Sequence, residues 1–147
     1  MNKRINLVSV KLIKEGSILY GQRRVLSPKE AFDLGKKFLV DSDREKMILL
    51  CLDSKNQPTA INTVRIECLN SSIVHPREVF KVAILSNSAS IIVYHNHPSG
   101  DIKPTKDDIN ITQRLKESGK ILGIELIDHI IVGSNEIYYR FKEKGNI

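Results

Sequence analysis

His95 and His97 stand two residues apart at the end of an apolar run, Ser90-Ile91-Ile92-Val93-Tyr94. In extended chain that spacing directs both imidazoles to the same side. Pro98, Ser99 and Gly100 then break the strand and turn the backbone. The chain returns at Pro104 into a helix whose first turn carries Asp108. Two imidazoles and one carboxylate suit a borderline metal such as Zn²⁺. Three protein ligands leave the fourth tetrahedral position for water, which is the arrangement of a catalytic site.

Each of these residues also has a plainer reading. Thr105-x-x-Asp108 is the pattern of a capping box, in which hydroxyl and carboxylate satisfy orphan N–H groups at a helix start. Asp101, between Gly100 and Ile102, reads as a turn residue. On spacing alone the metal reading and the capping reading both stand. His129 falls inside the apolar stretch Leu126 to Val132. It reads as a satisfied core histidine, or as one that supports a ligand, because a catalytic zinc keeps a position open. Asp128 lies on the opposite face by alternation and is placed to orient some neighbour. His75, before Pro76, reads as a loop residue.

The elements that must position these side chains follow from pattern. Residues 5–13 alternate apolar and polar and predict a strand. Ser27-Pro28 followed by residues 29–39 predicts an N-cap, a first-turn proline and an amphipathic helix. The nearly continuous apolar run 46–53 predicts a central strand buried on both faces. Residues 59–69 predict a second, more exposed strand. His75-Pro76 introduces a helix over 77–86, and 90–97 is a strand entering the polar turn. Thr105 to Ser118 predicts a helix that Gly119 can end. Residues 123–133 and 136–141 predict two strands in a hairpin around Gly133-Ser134-Asn135. Strands interleaved with helices predict a layered α/β domain, and the closing hairpin makes the sheet mixed.

A chain of 147 residues fits one domain, taken here as 1–147, with 41% hydrophobic and 27% charged residues. No repeat, low-complexity segment or Gly/Ser linker interrupts it. The longest apolar runs, 47–52 and 91–94, fall far short of the roughly 20 residues of a spanning helix. Met1 to Lys14 lacks the continuous apolar stretch of a secretory signal, so a cytoplasmic location is expected. Cys51 and Cys68 sit in separate apolar segments without CxxC spacing and read as buried free thiols. The net charge of +6 tolerates an acidic or nucleic-acid partner, but the basic residues are scattered and aromatics make up only 5%.

His-x-His, seven residues, Ser/Thr, two residues, Asp is the motif of the JAB/MPN (JAMM) metalloproteases. It is matched here by His95, His97, Thr105 and Asp108. Within that group the strings HNHPSGD (95–101), HPREVFK (75–81), LIDHIIVG (126–133) and YYRFKEKG (138–145) resemble the bacterial RadC subfamily. The resemblance runs from about Ser27 to Gly145. It implies a zinc-bound, cytidine-deaminase-like α/β/α sandwich. The motif's usual serine is Thr105 here, which keeps the hydroxyl and adds a methyl. Arg140 stands where a serine is common before the final Phe. The helix-hairpin-helix region that precedes this domain in full-length RadC proteins is not in this sequence, so the chain resembles the short, stand-alone form.

The resemblance also implies an upstream glutamate that handles the proton of the attacking water. Glu45, where the first buried strand begins, matches that place; Glu78, in a RadC-like block, is the alternative. A solvated charge is the plain reading of Glu45, and a first-turn acid on a helix dipole that of Glu78. The mechanism implied is hydrolysis by zinc-activated water, with Glu45 as proton carrier and Thr105 as hydrogen-bond donor to the developing oxyanion. The family makes a protein or peptide amide the expected substrate, as for a metallopeptidase or isopeptidase. Two rivals come from other classes: a non-catalytic zinc-containing scaffold, and a DNA-associated binding module suited to the +6 charge and to the DNA repair association in the family name. A zinc deaminase is excluded, because no H-x-E followed by P-C-x-x-C occurs.

Overall fold

The computed structural model of the chain describes residues 1–21, 24–39, 42–67, 74–134, 136–145 and 147. Its elements, in chain order, are α1 (Pro28–Lys36), β1 (Glu45–Leu52), β2 (Pro58–Glu67), α2 (Pro76–Leu85), β3 (Ser90–Asn96), α3 (Lys106–Leu122), β4 (Glu125–Val132) and β5 (Tyr138–Arg140). The strands form one sheet in the order β2-β1-β3-β4-β5. β3 and β4 run parallel, joined through α3, while the other neighbours pair antiparallel. The sheet is therefore mixed, as the interleaved pattern and closing hairpin require.

β1 shows why the fold has three layers. Met47 through Leu52 are all buried, and successive side chains feed opposite faces of the sheet. Met47, Leu49 and Cys51 pack with Val79, Phe80 and Ala83 of α2 and with Ile111 and Leu115 of α3. Ile48, Leu50 and Leu52 pack with Ala31, Phe32 and Leu34 of α1. Each fully buried side chain of this kind contributes about 1.5–3 kcal/mol relative to exposure. Ile91 and Val93 of β3 join the α2/α3 side, and Ile92 and Tyr94 join the α1 side. The Tyr94 hydroxyl donates to the Ala31 carbonyl at 2.8 Å, fixing α1 over the sheet. The α/β/α sandwich expected from the sequence is the one observed. Cys51 is a buried free thiol; Cys68 lies outside the described residues, as do Asn135 and the last residues of the strand expected over 59–69.

Four expectations on the elements need correction. Residues 5–13 form no strand: residues 1–20 carry no regular element and are exposed, Leu7 at 99% and Val8 at 81%. Alternation supplies propensity, but a strand forms only when its N–H and C=O groups pair with a neighbour, and residues 5–13 pair with none of β1 to β5. α1 stops at Lys36 instead of running to Leu39, because the Phe38 and Leu39 amides turn back to the Gly35 and Lys36 carbonyls. α3 runs through Gly119 to Leu122 and ends at Gly123, which takes the left-handed conformation at φ 72°. Gly119 serves closeness instead: a Cβ there would lie 2.3 Å from the Ile124 carbonyl oxygen. β5 is only three residues long, held in its hairpin by Gly133 N–H donating to Ile137 O at 2.8 Å. Among the described residues no helix is long and apolar enough to cross a membrane.

Candidate metal centre

His95 is the penultimate residue of β3, and His97 lies one residue beyond the strand. Their Nε2 atoms come within 3.0 Å of each other, so the two-residue spacing does bring both rings to one side. The turn that follows is closed by Gly100 N–H donating to His97 O, and Asp101 acts as a turn residue, its Oδ1 accepting from Lys103 N–H. α3 then starts with Thr105 as N-cap. Asp108 Oδ1 lies 3.1 Å from His95 Nε2, and Oδ2 lies 3.1 Å from His97 Nε2. Glu45, the first residue of β1, places Oε1 3.8 Å from His95 Nε2. One donor atom from each of Glu45, His95, His97 and Asp108 falls within 4.8 Å of all the others.

The position of Glu45 is built, not incidental. Asn96 is buried; its Oδ1 accepts from Lys46 N–H at 2.8 Å and its Nδ2 donates to Arg44 O at 3.0 Å. The backbone is thus tied on either side of Glu45, while the side chain keeps 38% exposure. Glu78 lies elsewhere, on the first turn of α2, paired with Lys81 at 3.4 Å, and is not part of the cluster.

Both readings of Thr105 and Asp108 hold together in the structure. The Asp108 N–H donates to Thr105 Oγ1 at 3.1 Å, and the Thr105 N–H donates to Asp108 Oδ2 at 2.8 Å, completing the capping box. A carboxylate has about four lone-pair sites, so closing the box leaves both oxygens free to face the imidazoles.

Hydrogen bonding sets the chemistry of the donors. His97 Nδ1 lies 2.7 Å from Asp101 O, and a carbonyl only accepts, so Nδ1 carries the proton. In the neutral ring Nε2 then presents a lone pair to the cluster. The hydrogen bond to Asp108 raises the His97 pKa against the effect of partial burial. Burial works to raise the Asp108 pKa, but the facing His95 and His97 rings, which favour its ionised form, and the Thr105 N–H outweigh it and hold the carboxyl well below its usual range. Imidazole nitrogens 3.0 Å apart and facing carboxylates form a donor set that could hold a metal ion.

His129 is fully buried and stacks on Phe141 with ring centroids 4.5 Å apart. Burial drives its pKa well below the ordinary histidine range, and the neighbouring His95 adds to that. Its Nε2 meets His95 Nδ1 at 2.6 Å, on the far side of that ring from the cluster, so it supports a donor and is not among the four. Asp128 does orient a neighbour: Oδ2 accepts from Arg140 Nε at 2.8 Å, and Oδ1 accepts from the Lys142 and His129 amides. Arg140 is thereby used to hold β5. His75 is the N-cap of α2, its Nδ1 accepting from Arg77 N–H at 3.2 Å, and is more than a loop residue.

Three contributors went unread in the sequence. Thr112 is four residues after Asp108 and so on the same helix face, a signal that was there to use. Asn96 points away from its histidine neighbours by strand alternation, which hid its task on β1. The Arg140–Asp128 pairing spans twelve residues and depends on hairpin register.

The family model for the RadC-like JAB domain matches residues 25–146. A UPF0758 protein of Methanosarcina barkeri is 48% identical over 124 residues, covering 84% of this chain and 54% of its own length. A UPF0758 protein of Clostridium botulinum strain Hall is 52% identical over the same length, with the same coverage. One from strain Okra reaches 61% over 104 residues, 71% of this chain and 45% of that protein. The chain thus spans about half the length of these relatives. With a matching model over residues 25–146, and with Glu45, His95, His97 and Asp108 gathered in one cluster, the chain belongs to the RadC-like JAB domain family.

Proposed function

We propose that this domain is a zinc-dependent hydrolase that cleaves an amide bond in a protein or peptide. The observation that carries the reading is the convergence of Glu45, His95, His97 and Asp108 donor atoms within 4.8 Å. His95, His97 and Asp108 would hold the ion, and Glu45, farther from His95 Nε2 than His97 or Asp108 and the most exposed of the four, would stay outside its shell. Held there, zinc would supply a lowered pKa for water, so that hydroxide would be available near neutral pH. Glu45 takes the proton released there and passes it to the leaving nitrogen, a task suited to a carboxylate fixed at its backbone but free at its tip. Thr105 accepts the Asp108 amide through oxygen, and its own proton remains to donate to the oxyanion as the carbonyl becomes tetrahedral.

The test is metal analysis of the purified protein, followed by a panel of peptides, isopeptides and nucleic acids with and without chelator. One zinc per chain is expected, strongly reduced in His97→Ala, with chelator-sensitive cleavage confined to amide substrates. Full metal content in His97→Ala would remove the ligand assignment. Zinc without any cleavage would favour a scaffold. Binding to DNA that weakens steeply with salt would favour the nucleic-acid module.

A further inference from the structure

Behind the cluster, on the side away from its opening, a chain of short hydrogen bonds runs from α3 through β4 into β3. The Thr112 hydroxyl donates to Asp108 O, one turn back along α3, at 2.6 Å. The same oxygen lies 2.6 Å from His129 Nδ1. His129 Nε2 lies 2.6 Å from His95 Nδ1. Thr112 and His129 are buried at 1% and 0% exposure, so water does not compete for these contacts.

For neutral imidazole rings the Thr112 hydroxyl sets the directions of these bonds. A hydroxyl has one proton, and that of Thr112 is committed to a carbonyl, which only accepts. Thr112 Oγ1 must therefore accept from His129 Nδ1, which carries the ring's proton. In a neutral imidazole the other nitrogen is then an acceptor, so His129 Nε2 accepts from His95 Nδ1–H. With its proton on Nδ1, His95 is left with a bare Nε2, and that atom faces His97 Nε2 at 3.0 Å and Asp108 Oδ1 at 3.1 Å.

We propose that Thr112 and His129 are positioning residues that fix His95 as its Nδ1–H tautomer, so that its Nε2 lone pair is presented to the metal. His97 receives the same instruction from the Asp101 carbonyl, directly and near the surface. For the buried histidine, His129 takes the place at Nδ1 that the Asp101 carbonyl takes for His97. The hydrogen-bond chain ends at the backbone carbonyl of Asp108, which accepts from Thr112, so the third ligand's own residue anchors the tautomer of the first. The proposal rests on the metal reading above for its purpose, but the tautomer itself is a property of the metal-free chain.

The experiment is long-range ¹⁵N–¹H NMR of the histidine rings in the full, metal-stripped chain, paired with zinc affinity by competition against a chromophoric chelator. In the parent protein His95 should show a protonated Nδ1 and a bare Nε2. Thr112→Val, close in shape but without the hydroxyl, should give mixed tautomers at His129 and His95 and weaken zinc binding by about 10–100-fold. Thr112→Ser, which keeps the hydroxyl, should restore both readings. A His95 protonated at Nε2 in the parent chain overturns the proposal. So does a folded Thr112→Val with unchanged tautomers and affinity. If Thr112→Val does not fold, Thr112→Ser and the parent spectrum still decide the directions of the bonds. Should the parent fail to bind zinc while showing the stated tautomer, the relay stands and the metal reading falls.

Discussion

At the scale of residues, Glu45 and Thr105 make separable claims. Glu45→Gln should bind zinc like the parent and lose hydrolysis of whichever peptide is cleaved, since Glu45 is the outermost of the four donors. Loss of zinc in that variant would make Glu45 a ligand instead. Thr105→Ser should keep stability and turnover, because it keeps the hydroxyl that caps α3. Thr105→Ala should cost about 0.5–2 kcal/mol by chemical denaturation for the lost cap. Turnover of the folded alanine variant should fall by about 10²–10³-fold if the hydroxyl donates to the oxyanion. Full activity per folded molecule would leave Thr105 a cap alone. His95, His97 and Asp108 were legible from spacing because strand alternation and a helix start are short-range rules. Glu45 was not: its neighbours in space are fifty residues away, and only resemblance singled it out.

At the scale of elements, the two glycines at the end of α3 test how the helix is held. Gly119→Ala puts a Cβ 2.3 Å from the Ile124 carbonyl oxygen, where backbone must give way, and should destabilise by about 1–3 kcal/mol. Gly123→Ala meets nothing within 4 Å but keeps φ 72°, so its cost should be nearer ~1 kcal/mol. Equal urea midpoints for the two would refute this division between crowding and backbone strain. The sequence could not distinguish them, since both are glycines at the end of an apolar-periodic helix. β1 and β3, buried on both faces, were legible as continuous apolar runs, whereas the length of β5 depends on pairing with β4 that composition does not encode.

At the scale of the whole molecule, the sheet and its helices form one packed body, and near the N-terminus Ile5, Leu7, Val8 and Val10 are exposed. Brief trypsin treatment should cut after Lys11 or Lys14, leaving the remainder folded and still able to take up zinc. Protection of those sites in the intact protein would mean that the segment is covered in solution by another chain. The alternating pattern over 5–13 was misread for a related reason: local sequence can state a preference for extended chain, but only the assembled sheet decides whether that chain pairs.

Asp108 has one carboxylate and two employers, the capping box and the cluster. Its consequence is kinetic. Opening the first turn of α3 must break the contacts that face the imidazoles, so the rate at which that turn frays becomes a record of what occupies the site. Deuterium uptake at the amides of Asp108 and Ile109, both bonded to Thr105, should quicken when chelator is added. Uptake within β1, deep in the sheet, should hardly notice. Occupancy could then be followed by the clock of a single helical turn, before any substrate is known.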